Sequence, residues 1–139
     1  MEQTRKARGI VELRIPGDAE WVGVARLAIA GVASRMNFSI DDIEDLKIAV
    51  AEACTNCIQH ATASDEVRLS CEVGPEHIRI TVEEHGKRGV GPQASPEESA
   101  DLKVGGLGVF LIRSLMDDVS YEFDPQAGTK LTMTKLLKA

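Results

Sequence analysis

The stretch from residue 49 to residue 61, AVAEACTNCIQHA, decides the fold and carries the most chemistry of this chain. It places Glu52, Asn56 and His60 at intervals of four residues. Four helical residues turn through about 400°, so the three side chains are predicted to follow one stripe of a helix. A carboxylate, an amide and an imidazole on one stripe can together bind a divalent cation, a hydroxyl group and a phosphate.

The helix that carries this stripe is predicted to run from about Asp41 to His60. Ser39, three residues before Asp42, resembles the start of a capping box. The apolar face of the helix is predicted to consist of Ile43, Leu46, Val50, Ala53 and Cys57. At 100° per residue the polar stripe lies beside this apolar face rather than opposite it. Such a boundary position is typical of residues that line a cleft.

Before this helix, an alternating strand is predicted at residues 10–15, and Pro16-Gly17 ends it. Asp18 is predicted to cap a first helix from about Ala19 to Ser34. The apolar residues assigned to that helix are Trp21, Val24, Leu27, Ala28 and Val32.

After it, the alternating runs at residues 67–73 and 78–83 predict a β-hairpin. A third helix is predicted to end near Met116, followed by strands at residues 119–123 and 129–136. The order β-α-α-β-β-loop-α-β-β predicts a single α+β domain over residues 1–139. We expect a two-layer sandwich in which a mostly antiparallel mixed sheet carries its helices on one face.

Composition narrows the function classes. The net charge of −6 and the pI of about 5.1 argue against nucleic acid as the main partner. No apolar run approaches the roughly 20 residues of a membrane span, and the start MEQTRKARGIVEL lacks the apolar region of a secretory signal, so we expect a cytoplasmic protein. Cys54 and Cys57 form a C-x-x-C that is interpreted as two buried thiols, with zinc or redox use as the weaker alternative.

Two further motifs suggest an anion site and a base site. The run Gly105-Gly106-Leu107-Gly108 opens the third helix, where glycines and unpaired N–H groups can approach a phosphate. Glu84-His85-Gly86 follows a strand, and a carboxylate there can accept a hydrogen bond from a base edge, although a plain turn is the alternative. Thr129, at the start of the last strand, could reach the same ligand.

The polar stripe can be interpreted residue by residue. Asn56 is a plausible amide-oxygen ligand for Mg²⁺. Glu52, one turn earlier, could accept a proton from an attacking hydroxyl or water. His60 either complements the helix dipole or contacts phosphate.

Taken together, these segments resemble the GHKL ATPases and kinases. ExxxNxxxHA at Glu52 to Ala61 looks like their N box, Glu84-His85-Gly86 stands at the G1 box, and residues 105–108 look like the G2 box. Phrases such as DDIEDLKIAVAEACTN and GGLGVFLIRSLMDDV resemble the anti-sigma-factor serine kinases of the RsbW type, from about residue 10 to residue 137.

The resemblance implies a Bergerat ATP-binding fold, Mg²⁺ and a homodimer. It also implies that the protein binds a sigma factor and phosphorylates a serine of an anti-anti-sigma antagonist with a STAS domain, with no direct contact to nucleic acid or membrane. A binding module without catalysis and an ATP-hydrolysing conformational machine are the competing hypotheses.

Carried over by position, Glu52 is the general base and Asn56 the Mg²⁺ ligand. The resemblance also assigns nucleotide contacts to a larger set of residues: Glu84, Gly86, Gly105, Gly106, Leu107, Gly108 and Thr129. Residues 87–104 become the ATP lid, in which Lys103 either neutralises γ-phosphate charge or is solvated. Two residues depart from the family pattern: Glu84 stands where the G1 box has Asp, and Arg88 stands where a glycine is usual.

Overall fold

Five strands form one sheet in the computed structural model, which describes residues 9–60, 66–85, 107–124 and 127–138. The strands are β1 (Gly9–Pro16), β2 (Glu66–Val73), β3 (His77–Glu84), β4 (Asp118–Asp124) and β5 (Gly128–Leu136). Their order in the sheet is β1-β2-β3-β5-β4, and every neighbouring pair is antiparallel. The helices are α1 (Val22–Ala33), α2 (Ile40–His60) and α3 (residues 107–115). The predicted α+β fold and the order of its strands and helices are confirmed, whereas the described sheet is wholly antiparallel rather than mixed and the predicted loop lies outside the described residues.

The helices cover one face of the sheet. On β2, the buried Val67, Leu69 and Cys71 alternate with polar residues that face the other way. Leu46, Val50, Ala53 and Cys57 of α2 are fully buried against this face, as their spacing predicts. The uncovered face carries cross-strand ion pairs such as Arg79 with Glu72, at 3.4 Å.

The first helix differs from its prediction. Trp21, Val24 and Leu27 were expected to face the core, but they are 39%, 42% and 71% exposed. The buried residues of α1 are instead Ala25, Ile29 and Ala33. Because α1 packs against α2, small side chains at the contact let the two helices approach closely.

The helix starts were only partly predicted. Asp18 precedes a short 3₁₀ turn, Ala19–Trp21, and makes no side-chain capping hydrogen bond, so the predicted cap is wrong. The second cap is present, since Ser39 Oγ accepts a hydrogen bond from the Asp42 N–H at 3.0 Å.

A buried lysine connects the N-terminal part of α2 with the C-terminal end of α3. Lys135 of β5 is 4% exposed, and its Nζ donates a hydrogen bond to the Leu115 carbonyl at 2.6 Å. The same Nζ lies 3.8 Å from carboxylate oxygens of Asp42 and Asp45. A cation at the C-terminal end of α3 complements the helix dipole. No helix among the described residues has the length and apolar character that crossing a membrane requires.

Candidate active site

The polar stripe of α2 forms one wall of a cleft against α3. Glu52 and Asn56 line this cleft, which has a volume of about 310 Å³, together with Thr55 and Gln59 of the same helix. The opposite wall is the start of α3, with Leu107, Gly108 and Leu111. Asn56 is 3% exposed, whereas Thr55 and Gln59 are exposed at the rim. The first described turn of α3 therefore lies across the cleft from Glu52, and the N-terminal end of a helix favours an anion.

Gly108 lets α3 begin directly beside the Glu52 carboxylate. A Cβ added at Gly108 would lie 3.0 Å from Glu52 Oε1, closer than ordinary van der Waals contact. The close approach makes glycine the residue that leaves Glu52 its present position. Of the predicted glycine cluster, Gly108 thus lies beside Glu52, the predicted base.

A second pocket lies at the ends of β3, β4 and β5. Its volume is about 280 Å³, and its lining includes Glu84, His85, Phe123 and Thr129. Glu84 is 1% exposed, and its Oε2 accepts a hydrogen bond from the Thr129 N–H at 3.0 Å. Burial raises the pKa of Glu84, while the Thr129 hydroxyl and amide and the charge of His85 lower it. The Thr129 hydroxyl lies near enough to influence the carboxyl, but its geometry does not complete a hydrogen bond.

Cys57 lies between the cleft and the pocket. It follows Asn56 on α2, its thiol donates to the Val82 carbonyl at 3.8 Å, and Glu84 is among its neighbours. Burial raises the pKa of Cys57, and Cys54, Glu84 and Glu83 raise it further. Burial also raises the pKa of Cys54 to about 12. These are buried, protonated thiols, as the sequence predicts.

The cleft suits a magnesium ion that arrives with a phosphate ligand. Among the residues that the structure describes, no three His, Cys, Asp or Glu side chains are grouped to hold a metal. Asn56 offers one amide oxygen beside the Glu52 carboxylate. Mg²⁺ keeps several waters and takes its other ligands from phosphates, so a single protein oxygen is compatible with its binding.

The predicted site residues divide into three groups. Glu52, Asn56, Leu107 and Gly108 share the cleft, and Glu84 and Thr129 share the pocket. Gly86, Lys103, Gly105, Gly106, the remainder of the predicted lid and the His60 side chain lie outside the described residues.

Sequence reasoning missed Thr55 and Gln59. The signal was present, because positions 52, 55, 56 and 59 follow the i, i+3, i+4, i+7 pattern of one helix face.

Comparison with known proteins agrees with this architecture. Residues 15–135 match the family described as histidine kinase-like ATPase domain. The chain belongs to this family. The matched region contains both the α2–α3 cleft and the pocket at the strand ends, so the family assignment covers the whole candidate site.

Within the histidine kinase-like ATPase family, the chain is similar to curated proteins named Serine-protein kinase RsbW. The Bacillus licheniformis protein is 42% identical over 145 aligned positions, covering 96% of this chain and 89% of that protein. The Halalkalibacterium halodurans protein is 41% identical over 137 positions, covering 92% of this chain and 83% of that protein. The predicted resemblance to the RsbW type is confirmed.

A solved structure shares the fold. The RsbU and RsbW domains of a Mycobacterium tuberculosis protein superpose with a TM-score of 0.70, covering 94% of this chain and 33% of that one. The sequence identity is 15%. At that identity the likeness concerns the fold alone, which is the α+β arrangement described above.

Proposed function

We propose that this chain is an ATP-dependent serine-protein kinase and anti-sigma factor that phosphorylates a serine of its antagonist. The observation that carries the proposal is the cleft in which the Glu52 carboxylate and the Asn56 amide face the glycine at the start of α3. The relatives named Serine-protein kinase RsbW, which align over nearly the whole chain, support the same activity.

The chemistry follows from the cleft. The serine hydroxyl of the acceptor protein gives its proton to the Glu52 carboxylate, and its oxygen forms a bond to the γ-phosphorus of ATP. The bond from that phosphorus to the β–γ bridging oxygen breaks, and ADP leaves. Phosphoryl transfer depends mainly on positioning and charge neutralisation, which helix α3 contributes through its N-terminal end.

Asn56 is the residue proposed to hold Mg²⁺, which when bound neutralises charge on the phosphates. Glu84 and Thr129 are proposed to bind the base, because they bring a buried carboxylate and a hydroxyl to one pocket. Gly86, Lys103, Gly105 and Gly106 remain proposed contacts from the family pattern.

The partners are proposed from the same family pattern. A sigma factor is held by the kinase, and unphosphorylated antagonist with a STAS domain displaces it, so that phosphorylation resets the switch. The protein is proposed to act as a homodimer in the cytoplasm, without binding nucleic acid or membrane itself. Its acidic charge of −6 is compatible with protein partners and unfavourable for a nucleic-acid backbone.

Mass spectrometry of the acceptor tests this function. The purified chain is incubated with Mg-ATP and a STAS-domain protein from the same organism, and phosphate on serine is compared with ADP formed. We expect one phosphoserine per ADP. Glu52→Gln should form no phosphoserine at a comparable rate. Glu44→Gln is its matched control, because Glu44 is an exposed carboxylate on the same helix that pairs with Lys47 at 3.1 Å.

Two outcomes would contradict the proposal in different ways. Nucleotide binding without transfer to any acceptor serine would leave a non-catalytic binding module. Release of ADP and inorganic phosphate without phosphoserine would indicate an ATP-hydrolysing machine.

A further inference from the structure

Three buried side-chain oxygens that have no hydrogen-bond partner among the described residues lie at the same end of the sheet. They are Glu84 Oε1, Thr129 Oγ1 and Tyr121 Oη. Glu84 of β3 is paired directly with Thr129 of β5, and Tyr121 of β4 is paired with Leu131, two residues further along β5. Side chains two residues apart on a strand share a face, so all three oxygens belong to the face that α2 covers.

Unsatisfied buried oxygens are costly, and a cluster of them requires an explanation. Two hydroxyl groups can each donate or accept a hydrogen bond, whereas an ionised carboxylate only accepts. A ligand edge with an amino group beside a ring nitrogen suits these three groups, because the amino group can donate to the carboxylate and the ring nitrogen can accept from a hydroxyl. The amino edge of adenine has this pattern, while guanine would place a carbonyl oxygen against the acceptor.

Tyr121 does not line the pocket itself; it lies on β4 two residues before Phe123, which does. Burial raises the pKa of Tyr121, and the neighbouring Cys57 and Glu84 raise it further, so its hydroxyl stays protonated close to the carboxylate. The Thr129 N–H fixes Glu84 Oε2 at 3.0 Å, but Oε1 has no donor from the described protein. A glutamate has one more rotatable bond than an aspartate, so its second oxygen needs a donor to hold it in one position.

We propose that Tyr121 is a positioning residue for the nucleotide, whose hydroxyl orients Glu84 Oε1, through one ordered water shared with Thr129, towards the amino group of a purine. This inference rests on the proposed binding of ATP. It assigns to Tyr121 and Glu84 a joint role: through that water, the tyrosine holds the second oxygen of the longer carboxylate in one position. One buried water with about three hydrogen bonds is an ordinary way to connect such groups.

Calorimetric titration with ATP and GTP tests the inference on the wild type and on Tyr121→Phe. Loss of one hydrogen bond corresponds to a fold-change of roughly 3 to 10, so we expect ATP to bind that much more weakly to Tyr121→Phe. The affinity for GTP should change less, so the ratio of ATP affinity to GTP affinity should be smaller in Tyr121→Phe than in the wild type. Thr129→Val should act in the same direction, whereas Thr132→Val removes a hydroxyl from the opposite face of β5 and should leave both affinities within about twofold.

The thermal stability and ATP affinity of Tyr121→Phe also define the result that would contradict the inference. If the tyrosine hydroxyl is merely an unsatisfied buried group, its removal relieves a cost. Tyr121→Phe would then unfold at a higher temperature than the wild type and bind ATP with unchanged affinity. That combination would overturn the inference.

A nuclear magnetic resonance measurement separates this inference from the proposed function. The chain has one tyrosine, so ring labelling gives a single carbon resonance next to the hydroxyl. We expect this resonance to shift when ADP is added. If ATP and ADP bind the wild type but the resonance does not move, only the role of Tyr121 is wrong. If neither nucleotide binds the wild type, the proposed kinase activity fails and this inference fails with it.

Discussion

Gly108 and Glu52 lie so close together that the side chain at position 108 controls the position of the carboxylate. In Gly108→Ala, the new methyl group would lie 3.0 Å from Glu52 Oε1, so the carboxylate must move by a few tenths of an ångström or more. We expect phosphoryl transfer to fall about 10-fold or more, because catalytic groups tolerate little displacement. The free energy of unfolding, measured with urea, should change by less than about 1 kcal/mol, since alanine favours a helix over glycine.

Gly31→Ala provides the matched control for that variant. Gly31 lies within α1, and a Cβ there meets no atom within 4 Å. The same substitution should therefore leave phosphoryl transfer unchanged. Equal loss of activity in both variants would mean that the contact with Glu52 is irrelevant.

Glu84 predicts a pH dependence of stability. Its pKa is raised by burial above the ordinary value of 4.5, so the folded state binds this proton more tightly than the unfolded chain does. The free energy of unfolding should therefore fall as the pH rises from 4.5 through the raised pKa. The protein should remain less stable at neutral pH by the cost of burying the charged carboxylate. Glu84→Gln removes the charge but keeps an acceptor for the Thr129 N–H. We expect it to be more stable than the wild type at pH 7, with the difference disappearing below about pH 4.5.

Urea unfolding of both proteins at neutral and acidic pH checks this expectation. Glu83→Gln is the control, because residue 83 is adjacent on β3 but its side chain points to the opposite face. A Glu84→Gln variant that is less stable than the wild type by the same margin at every pH would show that the buried charge is not the cause.

At the scale of elements, β1 and α1 are the elements on which we expect the second copy of the proposed homodimer to bind. Among the described strands β1 is paired with β2 alone, and Val11 of β1 is 46% exposed. Leu27 of α1 is 71% exposed. If two copies of β1 pair antiparallel with Leu13 opposite Leu13, Glu12 of each copy lies opposite Arg14 of the other, which is a favourable cross-strand pair.

We therefore expect Leu27→Asp to weaken a dimer without unfolding the protomer. Sedimentation equilibrium should show a higher dissociation constant for the variant, with circular dichroism unchanged. Phe110→Asp is the control, because Phe110 is 70% exposed on α3, a different element. If the Phe110 variant dissociates and the Leu27 variant does not, the interface lies elsewhere.

The elements themselves were largely predictable from the sequence. Alternation located β2, β3, β4 and β5 to within one residue at each end, because each strand has one buried face that imposes a period of two. The buried face of α1 was not predictable in the same way. Its large apolar residues are exposed in the single chain, and a sequence does not state whether a residue is buried by its own fold or by a second protein.

The site was predictable where its residues share a helix and not where they share a sheet. Glu52 and Asn56 follow from spacing alone, since four residues return to the same helix face. Tyr121 and Glu84 are separated by 37 positions in the chain, and only the pairing of β3, β4 and β5 brings them together. Strand order in a sheet depends on long-range contacts, which local patterns do not specify.

At the scale of the whole molecule, α2 and α3 form a single cleft in which one carboxylate and one amide face the first described turn of α3. The central claim is that Glu52 accepts the proton of the acceptor serine in that cleft. A glutamine at position 52 keeps the size and the cleft wall but loses the basic oxygen. Its effect on chemistry can therefore be separated from its effect on binding.

A single-turnover measurement of phosphoryl transfer to the STAS-domain acceptor tests this claim most directly. With ATP and acceptor saturating, the rate for Glu52→Gln should fall by roughly 10²-fold or more, while the dissociation constant of Mg-ATP stays within about twofold. A rate that stays within twofold of the wild type, with ATP bound equally well, would contradict the assignment of Glu52 as the base.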